Sequence, residues 1–230
     1  MFTDIHSHFV YGVDDGARTE EMMYEMLDLA VKDGIDRLVS TPHVTPGLKR
    51  FDMDLYERHF EKAVAYCRDK GYGIELSQGA ELLYTPAADR FIIEEEIKTM
   101  DDSDYVLIEF STNAALSEME HAIDLLERTG YQPIVAHMER YSCLFRPGSV
   151  EKLDSAHDIM WQVNAETIVE KQGFIRGRVI NGWLKNHTVD FIACDAHSTK
   201  HRTFRMTQAH KILAEKYGQG YADKVTGAAK

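Results

Sequence analysis

The sequence predicts an α/β protein folded as a distorted, TIM-like (β/α)7 barrel, in which seven parallel strands alternate with helices around a closed ring. Two observations predict it. Short apolar or β-branched segments alternate about seven times with amphipathic helical patterns, the order parallel strands require because each needs a crossover connection. Each strand segment is also followed by a residue able to bind a metal, or by a polar residue in the same place. In a barrel all carboxyl ends open on one face, where side chains from distant parts of the chain converge. An open doubly wound sheet would gather its site mainly at one switch point.

The elements follow in order. The first predicted strand covers residues 2–5 and runs into His6 and His8. A helix over residues 20–32 places Met23, Met26, Leu27 and Ala30 on one stripe, and residues 36–40 form the next strand, ahead of His43. Helices over 54–70, 118–128 and 177–185 show similar stripes. The remaining strands, 74–78, 105–108, 132–136, 159–163 and 190–194, precede Glu81, Glu109, His137, Asn164 and Asp195. They are mostly apolar, as strands covered on both faces are. Gly34, Gly71 and Gly130 stand where helix C-terminal caps belong. The Glu94-Glu95-Glu96 run reads as a solvated helix face, and residues 227–230 read as the interior of a last helix, so that the natural chain would run further. No linker rich in Pro, Gly or Ser divides the chain, and a single domain over residues 1–230 is expected.

With 44% hydrophobic and 28% charged residues in 230, the composition is that of a globular chain with a buried core. The formal charge of −12 argues against nucleic acid or an anionic membrane surface as partner, since phosphate backbones are held by clustered Lys and Arg. No run approaches the ~18 apolar residues of a membrane span. The N-terminus carries no basic region followed by an apolar stretch, so a cytoplasmic protein is expected. The three cysteines, Cys67, Cys143 and Cys194, form no CxxC pair, as suits reduced thiols. No arginine stands six positions after any of them to complete an anion cradle around a cysteine nucleophile; Gly73, Ser149 and Lys200 stand there instead.

His6 and His8 are separated by one residue, so both imidazoles point the same way on an extended chain. Glu81, Glu109, His137 and Asp195 each end an apolar run, a placement that desolvates a titratable group and costs free energy unless it is paired or coordinated. Imidazole and carboxylate donors without thiolate suit manganese, iron or zinc, with magnesium less suited because it prefers oxygen alone. Eight or nine donors exceed the need of one ion and imply two or three, with Glu81 a candidate bridge. Tyr11, Phe51, Tyr84, Tyr141 and Phe145 are aromatic residues of the connecting segments and candidates to line a ligand site.

Asp4-Ile-His-Ser-His8, Val13-Asp-Asp-Gly16, Ser40-Thr-Pro-His43, Gly79-Ala-Glu81, Leu107-Ile-Glu-Phe110, Ala136-His-Met-Glu-Arg-Tyr141, Gln162-Val-Asn-Ala165 and Cys194-Asp-Ala-His197 followed by Arg202 together resemble the PHP (polymerase and histidinol phosphatase) superfamily. Within it the chain is most similar to the bacterial tyrosine phosphatases of capsule and exopolysaccharide synthesis. The resemblance implies a barrel of the PHP type and a hydrolase that removes phosphate from protein tyrosine with metal ions, manganese first among them. It implies a partner as well, a polysaccharide-associated tyrosine kinase whose autophosphorylated tail is the substrate; homo-oligomerisation is left open. Carried over by position, one ion would be held by His6, His8, Glu81 and Asp195, a second by Glu81, Glu109 and His137, and a third by Asp14, His43 and His197. Arg140 and Arg202 match phosphate-binding arginines, and His43 or His197 is the candidate to assist the leaving group. Met138, Val44, Glu166 and Thr167 depart from the family pattern, and none removes a ligand. The rival readings are a phosphatase of a small metabolite such as histidinol phosphate, and a catalytically silent metal-binding scaffold. An amidohydrolase deacetylase is disfavoured because it wants a lysine where Glu109 stands.

Overall fold

In a computed structural model that describes residues 1–47, 51–94 and 97–228, strands and helices alternate as β1 (Phe2–Ser7), α1 (Glu20–Lys32), β2 (Ile35–Ser40), β3 (His43–Val44), α2 (Met53–Lys70), β4 (Glu75–Gln78), β5 (Glu81–Leu83), α3 (Ala88–Ile93), β6 (Tyr105–Glu109), α4 (Leu116–Arg128), β7 (Gln132–Val135), α5 (Ser149–Ala156), β8 (Met160–Asn164), α6 (Ala165–Val169), α7 (Phe174–Lys185), β9 (Phe191–Ala193), α8 (Met206–Tyr217) and α9 (Gln219–Val225).

All pairings between these strands are parallel. One sheet has the order β1-β2-β4 and the other β3-β5-β6-β7-β8-β9. The second and third predicted strands each break and resume, which is why nine segments appear where seven were expected. Pro42 has no N–H to give to a ladder. At Gly79 a Cβ would lie 2.7 Å from Met100 Sδ and 3.4 Å from Met100 Cα, so a larger residue would have to displace the Met100 side chain. Past these points β2 continues as β3 and β4 as β5, pairing His43 with Glu81. At the far edge, β1 meets the chain just beyond β9 through a parallel bridge between Ser7 and Ala196. Asp195 N donates to His6 O and His8 N to Ala196 O, both at 2.8 Å. Seven staves thus succeed one another around a distorted barrel.

Val39, Met100, Leu107, Ile134 and Ala136 form a small inner cluster. Among the described residues the other buried apolar side chains, Ala80 and Ala193 apart, pack into a larger layer that includes the predicted stripe of α1. Val106, Leu107 and Ile108 are all buried, as expected of strands covered on both faces. Helix α1 occupies the predicted residues, with the Thr19 hydroxyl accepting from Met22 N at 3.2 Å. Gly71 caps α2 with φ 70. Helices α4 and α7 begin two or three residues before their predicted starts.

Helices α5, α6 and α8 had no counterpart in the sequence reading, and α3 ends at Ile93 with Glu94 of the acidic run as its C-cap. The last helix ends at Val225, and Gly227 adopts φ 65, so 227–228 do not continue it; Ala229 and Lys230 lie outside the described residues, as do Glu95 and Glu96 of the acidic run. Among the described residues no helix is long and apolar enough to cross a membrane.

Candidate metal centre

The carboxyl ends of the staves bring the predicted ligands into one buried group. His6 Nε2 lies 3.1 Å from Glu81 Oε2 and 3.4 Å from Asp195 Oδ1. His8 Nε2 lies 3.4 and 3.5 Å from the same two oxygens. His43 Nδ1 is 3.0 Å from Glu81 Oε2 and 3.2 Å from Glu109 Oε1. His137 Nε2 is 2.8 Å from Glu81 Oε1 and 3.5 Å from Glu109 Oε2. Three sets of donors are close enough to share an ion: His6, His8, Glu81 and Asp195; His43, Glu81 and Glu109; and His8, Asp15, His43 and His197. Glu81, fully buried, belongs to two of them.

The third set differs from the expectation. Asp14 turns inward: its Oδ2 sits 2.7 Å from His8 Nδ1 and accepts from His43 N at 3.1 Å, while its Oδ1 accepts from Gly16 N at 2.9 Å. Asp15 is the carboxylate that faces His43 Nε2 at 3.3 Å and His197 Nε2 at 3.4 Å. Successive side chains leave the backbone in different directions, so adjacent carboxylates rarely serve one point. A Cβ on Gly16 would lie 2.1 Å from His8 O, and this close approach folds the Asp14 side chain back beneath His8.

Three of the imidazoles are oriented from behind. Gln162 Oε1 accepts from His137 N at 2.7 Å and lies 3.1 Å from His6 Nδ1. Being an acceptor only, it puts the His6 proton on Nδ1 and leaves the Nε2 lone pair facing the group. Asp14 does the same for His8, and the Asp195 carbonyl, 2.9 Å from His197 Nδ1, for His197. Gln162 Nε2 donates to Asn164 Oδ1 at 2.8 Å, and Asn164 Nδ2 to Asp195 Oδ2 at 2.9 Å. Neither amide was read from the sequence as a supporting group, although both lie in the Gln162-Val-Asn-Ala165 segment; the signal was their alternation on β8, which puts both on one face. Arg140 and Arg202 also reach Asp195 Oδ2, at 2.8 and 2.7 Å. His137, Asp195 and Arg202 have φ of 31, 51 and 49, left-handed values that non-glycine residues hold only where their surroundings impose them.

Several buried polar atoms lack a hydrogen-bond partner, and among them are Glu81 Oε2, Asp195 Oδ1, His43 Nδ1 and His197 Nε2, all pointing into the group. His6 Nε2 and His8 Nε2 stand 3.2 Å apart. Lone pairs so placed repel unless a cation lies among them. Burial would push the Glu81 carboxyl up, but the imidazoles of His6, His137 and His43 outweigh it and hold it well below the usual range. Asp195 is likewise held well below despite burial, chiefly by His6 and His8. In return, and against burial, Glu109 and Glu81 push His137 up to about 9 and His43 up to about 10. Burial and the neighbouring His8 push His197 down to about 4. The donor set fits divalent ions, which would neutralise the same carboxylates and displace these protons.

The thiols are free, buried and pushed up by desolvation, which makes them poor nucleophiles. Of the aromatic candidates, Tyr141 is buried, its hydroxyl accepting from Phe110 N and lying 3.2 Å from His137 Nδ1. Tyr84 is buried as well. Phe145 packs on Trp183 and Tyr11 stacks on His59. Phe51 alone of the five lines the cleft beside Asp15, His43 and Glu109.

The tyrosine-protein phosphatase CpsB of Streptococcus pneumoniae is 29% identical over 223 residues, covering 94% of this chain and 90% of its own. The tyrosine-protein phosphatase YwqE of Bacillus subtilis is 23% identical over 219 residues, covering 94% and 85%. A crystal structure from work on these two proteins, described as unique metal-dependent tyrosine phosphatases, superposes with a TM-score of 0.85 at 23% identity over 96% of this chain and 89% of that one. The histidinol phosphate phosphatase of Lactococcus lactis, solved with zinc, L-histidinol and phosphate, gives 0.60 at 14% identity over 96% and 94%. Such structural likenesses establish the fold, a PHP-type barrel. The family model of capsular polysaccharide synthesis proteins, CpsB/CapC, matches residues 2–229, and the chain belongs to that family.

Proposed function

We propose that this protein is a metal-dependent phosphomonoesterase that removes phosphate from protein tyrosine. Its substrate would be the autophosphorylated tail of a tyrosine kinase that controls polysaccharide synthesis, and its place the cytoplasm. One observation carries the reading. The buried atoms without partners include acceptors converging on the ligand group and also a donor, Arg202 Nε, so one site offers room for cations and, at its edge, for an anion.

Two or three divalent ions fit the donors, manganese first, with iron, zinc or magnesium as alternatives. His6, His8, Glu81 and Asp195 would hold one, Glu81, Glu109 and His137 a second, and Asp15, His43 and His197 a third, so that each imidazole gives its one lone pair to one ion. When bound, such ions supply positive charge to a phosphoryl group and a water acidified toward neutral pH. Arg140 and Arg202, each about one-third exposed and tied to Asp195, are pre-set to take phosphoryl oxygens in the fork geometry that guanidinium offers. Asp195 thereby divides its labour, Oδ1 toward the ions and Oδ2 holding Arg140, Arg202 and Asn164. A phenol leaves with a pKa of about 10, so it needs less proton donation than an alkyl alcohol, and His43 and His197 can serve the third ion as ligands without being called on as acids.

The test is a panel of phosphotyrosine peptide, phosphoserine peptide and histidinol phosphate, run with manganese, with chelator, and after thiol alkylation. Turnover of the phosphotyrosine peptide should vanish on chelation, return with manganese and survive alkylation. Faster turnover of histidinol phosphate, activity insensitive to chelation, or bound metal with no turnover at all would each overturn the proposal.

A further inference from the structure

We infer that the cleft between α2 and the ligand group is the subsite for the substrate's aromatic ring, with Phe51 as the side chain that distinguishes aryl from alkyl phosphomonoesters; this rests on the phosphatase reading above. The cleft measures about 380 Å3 and is lined by polar and apolar groups together. Asp15, His43 and Glu109 line it, and so do Val13, Phe51 and Leu55. A cavity of about 150 Å3 already admits benzene, so a phenyl ring fits with space left for the peptide that carries it. Because Asp15, His43 and Glu109 belong to the ligand group as well as to the lining, a ring in this cleft lies beside the position of the phosphoryl group.

Phe51 is held for the task by the start of α2. Asp52 is the N-cap, its Oδ1 accepting from Leu55 N at 3.0 Å. Phe51 therefore stands one residue before the cap, and Tyr56 four residues after it, the two positions that pack against each other at a helix start. Their rings meet edge to face with centroids 5.5 Å apart. Tyr56 is fully buried, its hydroxyl donating to Ser40 O at 3.1 Å, so the edge against which Phe51 rests is fixed. The other face of Phe51 remains partly exposed in the cleft, where a second ring can add an aromatic pair.

The experiment compares the binding of phenylphosphonate and methylphosphonate to the manganese-loaded full chain by calorimetry, in the wild type, Phe51→Leu and Phe51→Ala. Phe51→Leu keeps an apolar contact to Tyr56 and so preserves the helix start. The preference for phenylphosphonate should fall about three- to tenfold in Phe51→Leu, the worth of an aromatic pair, and further in Phe51→Ala, with metal content unchanged. An unchanged preference in both variants, or no preference in a wild type that still hydrolyses phosphotyrosine peptide, would place the ring elsewhere. Failure to hydrolyse the peptide would instead overturn the phosphatase reading itself.

Discussion

Gln162 is the residue whose replacement best separates holding a metal from holding the fold. Its side chain is fully buried on β8. It accepts from His137 N and His6 Nδ1 and donates to Asn164 Oδ1. Gln162→Leu keeps the volume and strips all three hydrogen bonds. At about 1 kcal/mol for each buried group left unpaired, the metal-free fold loses about 3 kcal/mol, a large fraction of the 5–15 kcal/mol typical of a domain. The loss in metal affinity is a different quantity. Without Gln162 the His6 ring is free to rotate or to carry its proton on Nε2, and Asn164 loses the support that aims it at Asp195. Removing such an outer partner costs roughly 10–100-fold in affinity, or about 1.4–2.7 kcal/mol. Chelator competition on the folded protein reads the second quantity, and thermal denaturation of the metal-free protein the first. A dissociation constant for manganese within threefold of wild type, alongside a lowered melting temperature, would refute the orienting role and leave Gln162 a core amide only.

Arg140→Ala should lower kcat/KM toward phosphotyrosine peptide by about 1.5–3 kcal/mol, the worth of a hydrogen bond to a charged group, with metal content intact because Arg202 and Asn164 still hold Asp195; loss of an ion would show that Arg140 supports the cluster instead. Glu81→Gln should lose more metal than Asp15→Asn, since Glu81 belongs to two donor sets and Asp15, largely exposed, to one; equal loss by elemental analysis contradicts this. The chelated protein should lose stability as pH rises from about 6.5 through about 9 to 10. Glu109 and Glu81 push His137 up to about 9 and His43 up to about 10 against the effect of burial. A folded pKa above the unfolded value gives stabilisation that is full below the unfolded value and lost through the folded one. Melting temperatures with and without manganese across that range decide it, a flat metal-free profile being the contrary result.

The strands were legible because each ends in a group that cannot be buried cheaply: Glu109 after Val106-Leu-Ile108 and Asp195 after Phe191-Ile-Ala-Cys194 make little sense as packing alone. The split of β2 from β3 and of β4 from β5 was legible only in part. Pro42 and Gly79 mark the breaks, but what they permit, the pairing of His43 with Glu81, depends on neighbours far along the chain. The short helices α3, α5 and α6 run 5 to 8 residues, too few to display a stripe, and were invisible to periodicity. Among the aromatic residues, Tyr141 and Phe51 look alike in sequence and end in opposite places, one sealed behind His137 and one lining the cleft.

The exchange of Asp14 for Asp15 shows what kind of local signal separates a supporting group from a donor. In Val13-Asp-Asp-Gly16 the first aspartate stands two residues before the glycine, the spacing at which an aspartate accepts the backbone N–H of a turn; Asp14 Oδ1 does so, at 2.9 Å from Gly16 N. One oxygen thus spent on the turn fixes the carboxylate, and the other falls against His8 Nδ1. Asp15 has no such call on it and stays two-thirds exposed, reaching His43 and His197. The two carboxylates then act on different ions, Asp14 through His8 and Asp15 directly. Asp14→Asn should therefore reduce metal affinity through His8, without touching a donor atom, while Asp15→Asn replaces a charged donor of the third set by a neutral amide. Because His8 Nε2 faces the first set, the Asp14 variant should weaken the first site modestly and the Asp15 variant the third site strongly, and stepwise metal titration distinguishes the patterns. Identical titration curves for the two variants would mean that the adjacent carboxylates are interchangeable and that the turn at Gly16 does not sort them.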